Sequence, residues 1–258
     1  MSGFEKTGWR KFAHDPQMAD WVAGSLPHAV AAIKAPANAH WLRCGGTWFA
    51  GVNVLPTVPD GSIGSSGPLR GRAVDYAKTL DAREIHWDAG QISVVYPGYP
   101  RQGEESDAAF GYRLRRDAAH VDGLLRVGPD NRRMVREPHA FVLGIPLSEN
   151  SEGASPLVVW EGSHRIIAAA LRRVLEGYPP ATWADIDVTD AYNAARRTCF
   201  ETCARVPVHA RPGEGYLIHR LALHGVGPWQ EDASAGPQGR IIAYFRPQMR
   251  SVEAWLKD

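Results

Sequence analysis

The second half of the chain is broken into short apolar runs, and a polypeptide of this kind has few ways to bury them. Runs at residues 91–96, 139–147, 156–160, 206–210, 214–219, 222–226 and 240–245 are rich in aliphatic and aromatic residues. Each is too short for a stable helix, and turn residues such as Pro97-Gly98 close them. Many short strands with frequent turn signals predict a mainly β chain, packed as a sandwich or barrel. With 44% apolar residues among 258, the chain can bury a sizeable core, and a single domain is expected over residues 1–258.

Helices are expected around this core. Asp15 as N-cap and Pro16 at the first helical position open one. Gly24 and Pro27 should split it into two short helices ending near Ile33. Residues 47–55 read as a strand, 56–72 as a loop rich in glycine and proline, and 72–80 as a helix. Residues 1–90 thus form an N-terminal helical and strand layer before the β core at 91–247. Ser163 is expected to cap a helix reaching Glu176, where Ile166, Ile167, Ala170, Leu171, Val174 and Leu175 recur at helical spacing. A second helix over 188–202 completes a helical insertion at about 163–203. Tyr99 to Ala119 is a polar connecting segment.

Charge excludes some partners. The 29 basic and 28 acidic residues nearly cancel, so no global field draws the protein to nucleic acid or to an anionic membrane. No apolar run is long enough to span a bilayer. Cys44, Cys199 and Cys203 are an odd number without framework spacing, and no charged-then-apolar leader stands in residues 1–34, so a cytoplasmic location is expected. Cys199 and Cys203, one helical turn apart, read as buried thiols.

The chemistry concentrates in His120-Val121-Asp122-Gly123, an imidazole and a carboxylate two residues apart, and in His224-Gly-Val-Gly-Pro228 far downstream. Two histidines and one carboxylate on one face of a metal, with open positions opposite, form the facial triad of non-haem iron(II) oxygenases. His219, five residues before His224, competes for the third position. The glycine-proline context attaches to His224, which leaves His219, His139, His164 and His209 as structural histidines. Glu161-Gly-Ser-His164 lacks the nucleophile elbow of a serine hydrolase.

In their order, His120-x-Asp122, the run 153–164 ending in Gly-Ser-His, His224-Gly-x-Gly-Pro228 and an arginine opening a β-rich run, these pieces resemble the iron(II)/2-oxoglutarate dioxygenases. The likeness is to the phytanoyl-CoA dioxygenase-like family, and it covers roughly residues 91–247. It implies a double-stranded β-helix, the jelly-roll or cupin-like core, with flanking α-helices. It also implies iron(II) and 2-oxoglutarate as cofactors, dioxygen as co-substrate and a small organic molecule as substrate, oxidised with release of succinate and carbon dioxide. His120, Asp122 and His224 would bind the metal. Arg240, sixteen residues after His224, would take the far carboxylate of 2-oxoglutarate. Tyr96 would contact the cosubstrate. Val226 departs from the family, where a serine often follows the distal histidine by two places.

Two other classes compete: a cupin-like metal-dependent dioxygenase or isomerase that does not use 2-oxoglutarate, and a binding or sensor module with an inactive site. Arg240 argues against the first and the intact triad against the second. Retention of Asp122, where halogenating relatives carry a small residue, points to hydroxylation. Residues 101–136 hold eight arginines against six acidic residues, flanking the first two ligands. They suggest an anionic substrate recognised by Arg116 and Arg126.

Overall fold

The computed structural model describes residues 3–80, 85–87 and 89–257. The chain opens with α1 (Gly3–Thr7), β1 (Trp9–Phe12) and α2 (Pro16–Lys34), then β2 (Leu42–Arg43), β3 (Trp48–Leu55) and α3 (Arg72–Leu80). Next come β4 (Gly90–Val95), α4 (Asp107–Arg116), β5 (Leu124–Val127), β6 (Arg132–Val135), β7 (Phe141–Pro146) and β8 (Leu157–Trp160). Two helices, α5 (Ser163–Leu175) and α6 (Thr189–Thr202), precede β9 (Arg205–Val208), β10 (Gly215–His219), β11 (His224–Val226), β12 (Arg240–Phe245) and α7 (Val252–Leu256).

A seven-stranded sheet runs β1-β10-β7-β12-β4-β3-β2, and a three-stranded sheet runs β11-β8-β9; every pairing in both is antiparallel. The two sheets pack face to face through Val142, Tyr216, Ile218 and Ile242 on one side and Leu157, Val159 and Val208 on the other. Because side chains alternate along a strand, the intervening residues face outward into two further apolar layers. Leu143, Ile145, Leu217, Ile241, Ala243 and Phe245 meet Met18, Trp21 and Val22 of α2 and Ala73, Val74 and Ala77 of α3. Val158 and Trp160 meet Ile167 and Leu171 of α5, Tyr192 and Cys199 of α6 and Trp255 of α7. Strands covered on both faces explain why these runs carry few polar residues.

Some expectations need correcting. α2 is one continuous helix through Gly24 and Pro27. Its buried stripe, Met18, Trp21, Val22, Ser25 and Ala29, outweighs the hydrogen bond that Pro27 removes. Gly24 serves close packing, since a Cβ there would collide with the Ser66 backbone in the loop that follows β3. That loop is tied to α2 by Trp21 Nε1, which donates to Gly61 O at 2.9 Å. Ser163 does not cap α5: Gly162 holds the cap position, and Ser163 Oγ instead accepts from Leu223 N at 2.8 Å. α4 lies inside the segment read as a connection. It buries only Gly111, so it leaves no apolar stripe to read, and the Ser106 cap is its one sequence signal. No helix among the described residues is long and apolar enough to cross a membrane.

β7 is an inner strand of the larger sheet, paired to β10 on one side and β12 on the other, with all six residues buried. Leu143→Ala should therefore cost about 2–5 kcal/mol of unfolding free energy, the range for a buried leucine that leaves a cavity. Urea denaturation of the purified protein measures it.

Candidate metal centre

After α4 the chain turns through Asp117 and Ala118, both at positive φ (54° and 51°), and runs extended beside β11. His120 and His224 face one another as an antiparallel pair, His120 N donating to His224 O at 2.8 Å and His224 N to His120 O at 3.0 Å. Asp122, two residues on, projects from the same side as His120. The two imidazoles lie 4.8 Å apart between centroids, and one donor atom from each of the three residues falls within 4.8 Å of the others. Asp122 Oδ1 is 3.2 Å from His120 Nε2, and Oδ2 is 3.8 Å from His224 Nε2.

Both rings are oriented by their other nitrogen. His120 Nδ1 lies 3.0 Å from Ala118 O, and His224 Nδ1 2.9 Å from Ala222 O. A carbonyl can only accept, so each Nδ1 donates its proton there, which turns Nε2 of both rings toward Asp122. Burial pushes the His224 pKa down to about 4, with His120 and Arg246 assisting against the pull of Asp122, so His224 is neutral and ready to ligate. Burial alone would raise the Asp122 carboxyl. Arg246 first, and then the His120 hydrogen bond and the neighbouring His224, more than reverse this and hold it well below the usual carboxylate range. Two imidazoles presented through Nε2 and one ionised carboxylate suit a divalent transition metal such as iron(II).

The centre opens into a cavity of about 960 Å3. Trp48, Ala50 and Val52 of β3 and Gln91 and Ser93 of β4 form one wall, with Leu157, His224 and Val226 among the residues opposite. Leu42 and Val52, 48% and 38% exposed, are large apolar residues that stay accessible because they line this space. Its arginines are Arg43, Arg113 and Arg246. Arg113 lies over Trp48, 5.4 Å from the ring centroid, and 3.9 Å from Glu105. Arg246 Nη1 is 3.4 Å from Asp122 Oδ2, while its Nη2 donates to Gln91 Oε1 at 2.5 Å.

Arg240 opens β12 and is buried, sharing the inter-sheet face with Ile242 and Tyr244. It interacts with the Tyr216 hydroxyl, which donates to Tyr244 Oη at 3.0 Å, yet its Nη1 is buried with no hydrogen-bond partner. A buried, unpaired guanidinium nitrogen is costly, and it fits a site built to receive a carboxylate.

Other expected site residues lie elsewhere. Tyr96 follows β4 with even parity, so its ring packs against the helix-covered side of the larger sheet and does not reach the cavity. Arg116 stacks on Phe200, 4.7 Å from the ring centroid, and Arg126 is exposed on β5; neither lines the cavity. His219 is partly buried against His164 and Phe4, its Nδ1 accepting from Leu221 N at 3.1 Å, away from Asp122. His139, His164 and His209 each meet a backbone carbonyl: Arg246 O, Glu5 O and Asn150 O respectively. Sequence reasoning missed Arg246 and Gln91. The signal for Arg246 was its even spacing from Arg240 along one strand.

No protein-family model matches the sequence, and no curated protein matches it. Solved structures do. The non-haem alpha-ketoglutarate-dependent carbocyclase SnoK from nogalamycin biosynthesis superposes with a TM-score of 0.54 at 12% identity, over 95% of this chain and 81% of that one. The epimerase SnoN, solved with Fe3+, alpha-ketoglutarate and nogalamycin RO, gives 0.51 at 16% identity, over 99% and 86%. The chain has the fold of these non-haem enzymes.

Gly225 holds the two histidine segments together. A Cβ there would strike Asp117 O and crowd the Ala119 backbone, whereas one at Gly227 would meet no atom nearer than 3.5 Å. Gly225→Ala should weaken divalent-metal binding by about tenfold or more, the scale on which supporting contacts around a metal act. Gly227→Ala should leave it unchanged, as calorimetric titration would show.

A second expectation concerns acid. An unfolded histidine takes up its proton near pH 6.5, whereas His224 resists until about pH 4 and His219, buried beside Arg220 and His164, until about pH 2. Between these values the unfolded chain binds protons that the folded chain refuses, so the metal-free protein loses stability as pH falls below 6.5. The fall in urea midpoint from pH 7 to pH 4.5 should be shallower in His219→Gln.

Proposed function

We propose that this protein is an iron(II)- and 2-oxoglutarate-dependent oxygenase that oxidises a C–H bond of a small organic substrate, with hydroxylation as the reaction. The observation that carries the reading is the pairing of a His-Asp-His face with an orphaned arginine nitrogen between the same two sheets. Strand order supports a double-stranded β-helix: β10-β7-β12-β4 lies opposite β9-β8-β11, and the His120 bridge serves as the eighth strand. SnoK and SnoN depend on alpha-ketoglutarate on the same fold. The narrower likeness to phytanoyl-CoA dioxygenase-like proteins rests on the sequence motifs. The unpaired thiols of Cys44, Cys199 and Cys203 favour a cytoplasmic location.

In this reading His120 and His224 hold iron through Nε2, and Asp122 completes the face. Arg246, itself held by Gln91 Oε1, donates to Asp122 Oδ2, which keeps the carboxylate turned to the metal. Arg240, with the Tyr216 and Tyr244 hydroxyls, takes the far carboxylate of 2-oxoglutarate. Bound iron, 2-oxoglutarate and dioxygen supply the oxidising power, with succinate and carbon dioxide released. The protein's own part is placement: Trp48, Ala50 and Val52 hold the substrate's apolar body, and Arg43 and Arg113 meet any anionic group on it. These replace Arg116 and Arg126 in that role, because they line the cavity. Retention of Asp122 leaves no ligand position for halide, which separates the reaction from halogenation.

Under anaerobic conditions, iron(II) and 2-oxoglutarate together should give a weak visible charge-transfer band. Iron binding without the band would favour the cupin-like enzyme that does not use 2-oxoglutarate. Arg240→Met should weaken 2-oxoglutarate binding by roughly 2–5 kcal/mol, the cost of leaving a buried charge unpaired, with iron affinity little changed. His224→Ala should lose iron and His219→Ala retain it; the reverse pattern would move the third ligand to His219.

A further inference from the structure

Four arginines that the cavity does not use gather on the outer side of the segment carrying His120 and Asp122. Arg116 ends α4, Arg126 and Arg133 stand directly opposite one another across the β5–β6 hairpin, and Arg196 projects from α6. Aromatic rings underlie them. Arg116 lies 4.7 Å from the Phe200 centroid, and Arg196 lies 4.9 Å from that of Tyr112 and 5.3 Å from that of Tyr192. Arg133 is half-buried, its Nη1 donating to Leu124 O at 2.7 Å.

What sets this group apart is its lack of counter-charge. Among the described residues no carboxylate forms an ion pair with any of the four, although Arg132 and Arg136 on the same hairpin pair with Asp187 and Asp185. Like charges directly opposite in an antiparallel pair are destabilising. Here a third cation from α6 adds to the repulsion: burial first, and then Arg126 and Arg196, lower the Arg133 pKa against the pull of Tyr192.

We propose that Arg126, Arg133 and Arg196, flanked by Arg116, form a binding site for a dianionic phosphoryl group, outside the cavity and independent of its chemistry. A phosphoryl group fits better than a single carboxylate, since it brings close to two negative charges and three acceptor oxygens. Planar guanidinium forks meet such oxygens two at a time, and stacking on Tyr112 and Tyr192 holds the Arg196 plane in advance. The same two tyrosines hold the backbone around His120: Tyr112 Oη donates to Ala119 O at 2.6 Å, and Tyr192 Oη accepts from Val121 N at 3.2 Å. An anion on the arginines would therefore steady the metal-bearing segment from behind.

The test is calorimetric titration with inorganic phosphate and, separately, glycerol 3-phosphate, at an ionic strength held constant with chloride. The purified protein is compared with the Arg126→Gln/Arg133→Gln double variant. Wild-type protein should bind at least one of the two, inorganic phosphate pointing to the free ion and glycerol 3-phosphate to a phosphorylated metabolite. The double variant should bind about tenfold or more weakly, as expected for lost charge-assisted contacts. In low salt without phosphate, the variant should melt at the same temperature as wild type or higher, because a repulsion has been removed. Equal melting responses to phosphate and chloride, or undiminished binding by the variant, would overturn the site. So would a single-stranded oligonucleotide that binds the arginines more tightly than either phosphate.

Discussion

Two reciprocal backbone hydrogen bonds between His120 and His224 are the constraint on which the centre rests. They join positions 104 residues apart in sequence and set the rings on one face before any metal is present. The surroundings protect this short bridge. Val226 N donates to Asp117 O at 2.9 Å, continuing the pairing past Gly225. Arg205 grips both oxygens of buried Asp117, at 2.8 and 2.7 Å, anchoring the segment to the start of β9. Tyr112 and Tyr192 close it from outside. A stretch too irregular to be a long strand is thereby held as firmly as one.

The layered arrangement explains why the bridge forms where it does. β8 pairs with β11 on one edge and β9 on the other, while its outward residues sit under α5 and α6. Those two helices fill the sequence between β8 and β9, so their docking brings β9 and then β11 back to β8. The larger sheet is pinned similarly by α2 and α3 on its outer side. The inter-sheet layer is left to do two jobs: part of it is apolar, and part carries the polar groups of Tyr216, Arg240 and Tyr244, of which Tyr244 shares the cavity with Arg246, His120, Asp122 and His224. The alternation of β12 serves both, placing Ile241, Ala243 and Phe245 against helices and the even-numbered residues toward the centre.

Much of this was legible in the sequence because a period of two and short run lengths leave few alternatives. The strands β4, β7, β8 and β9 to β12 and the helices α3, α5 and α6 follow from such local signals, whereas the β5–β6 hairpin gave none; the convergence of His120, Asp122 and His224 was signalled by the order of their motifs along the chain. What could not be read depends on facing. Tyr96 continues a strand whose odd positions reach the cavity, so a one-residue offset sends it to the other side of the sheet. Arg116 and Arg126 adjoin the ligands in sequence but lie behind the segment that bears them, since closeness along the chain does not say which side of it a residue occupies. α4 was hidden because it is stabilised by a cap and by arginine stacking and buries almost no apolar stripe. Pro27 misled because burial of Trp21 and its neighbours overrode a local helix-breaking preference.

The three metal-facing side chains are not equally sheltered. His224 and Asp122 have side chains only 9% and 12% exposed, whereas half of the His120 side chain is accessible from the cavity. A cation entering from solvent must therefore pass His120 first, and one that leaves must part from the two sheltered groups before it clears the outer one. The contact from His120 Nδ1 to Ala118 O is then a latch on exchange as well as an orienting bond, because the ring has to break it to swing aside. A carbonyl in a left-handed turn, several bonds removed from any atom that would touch the ion, thus restrains how freely the outermost ligand can move.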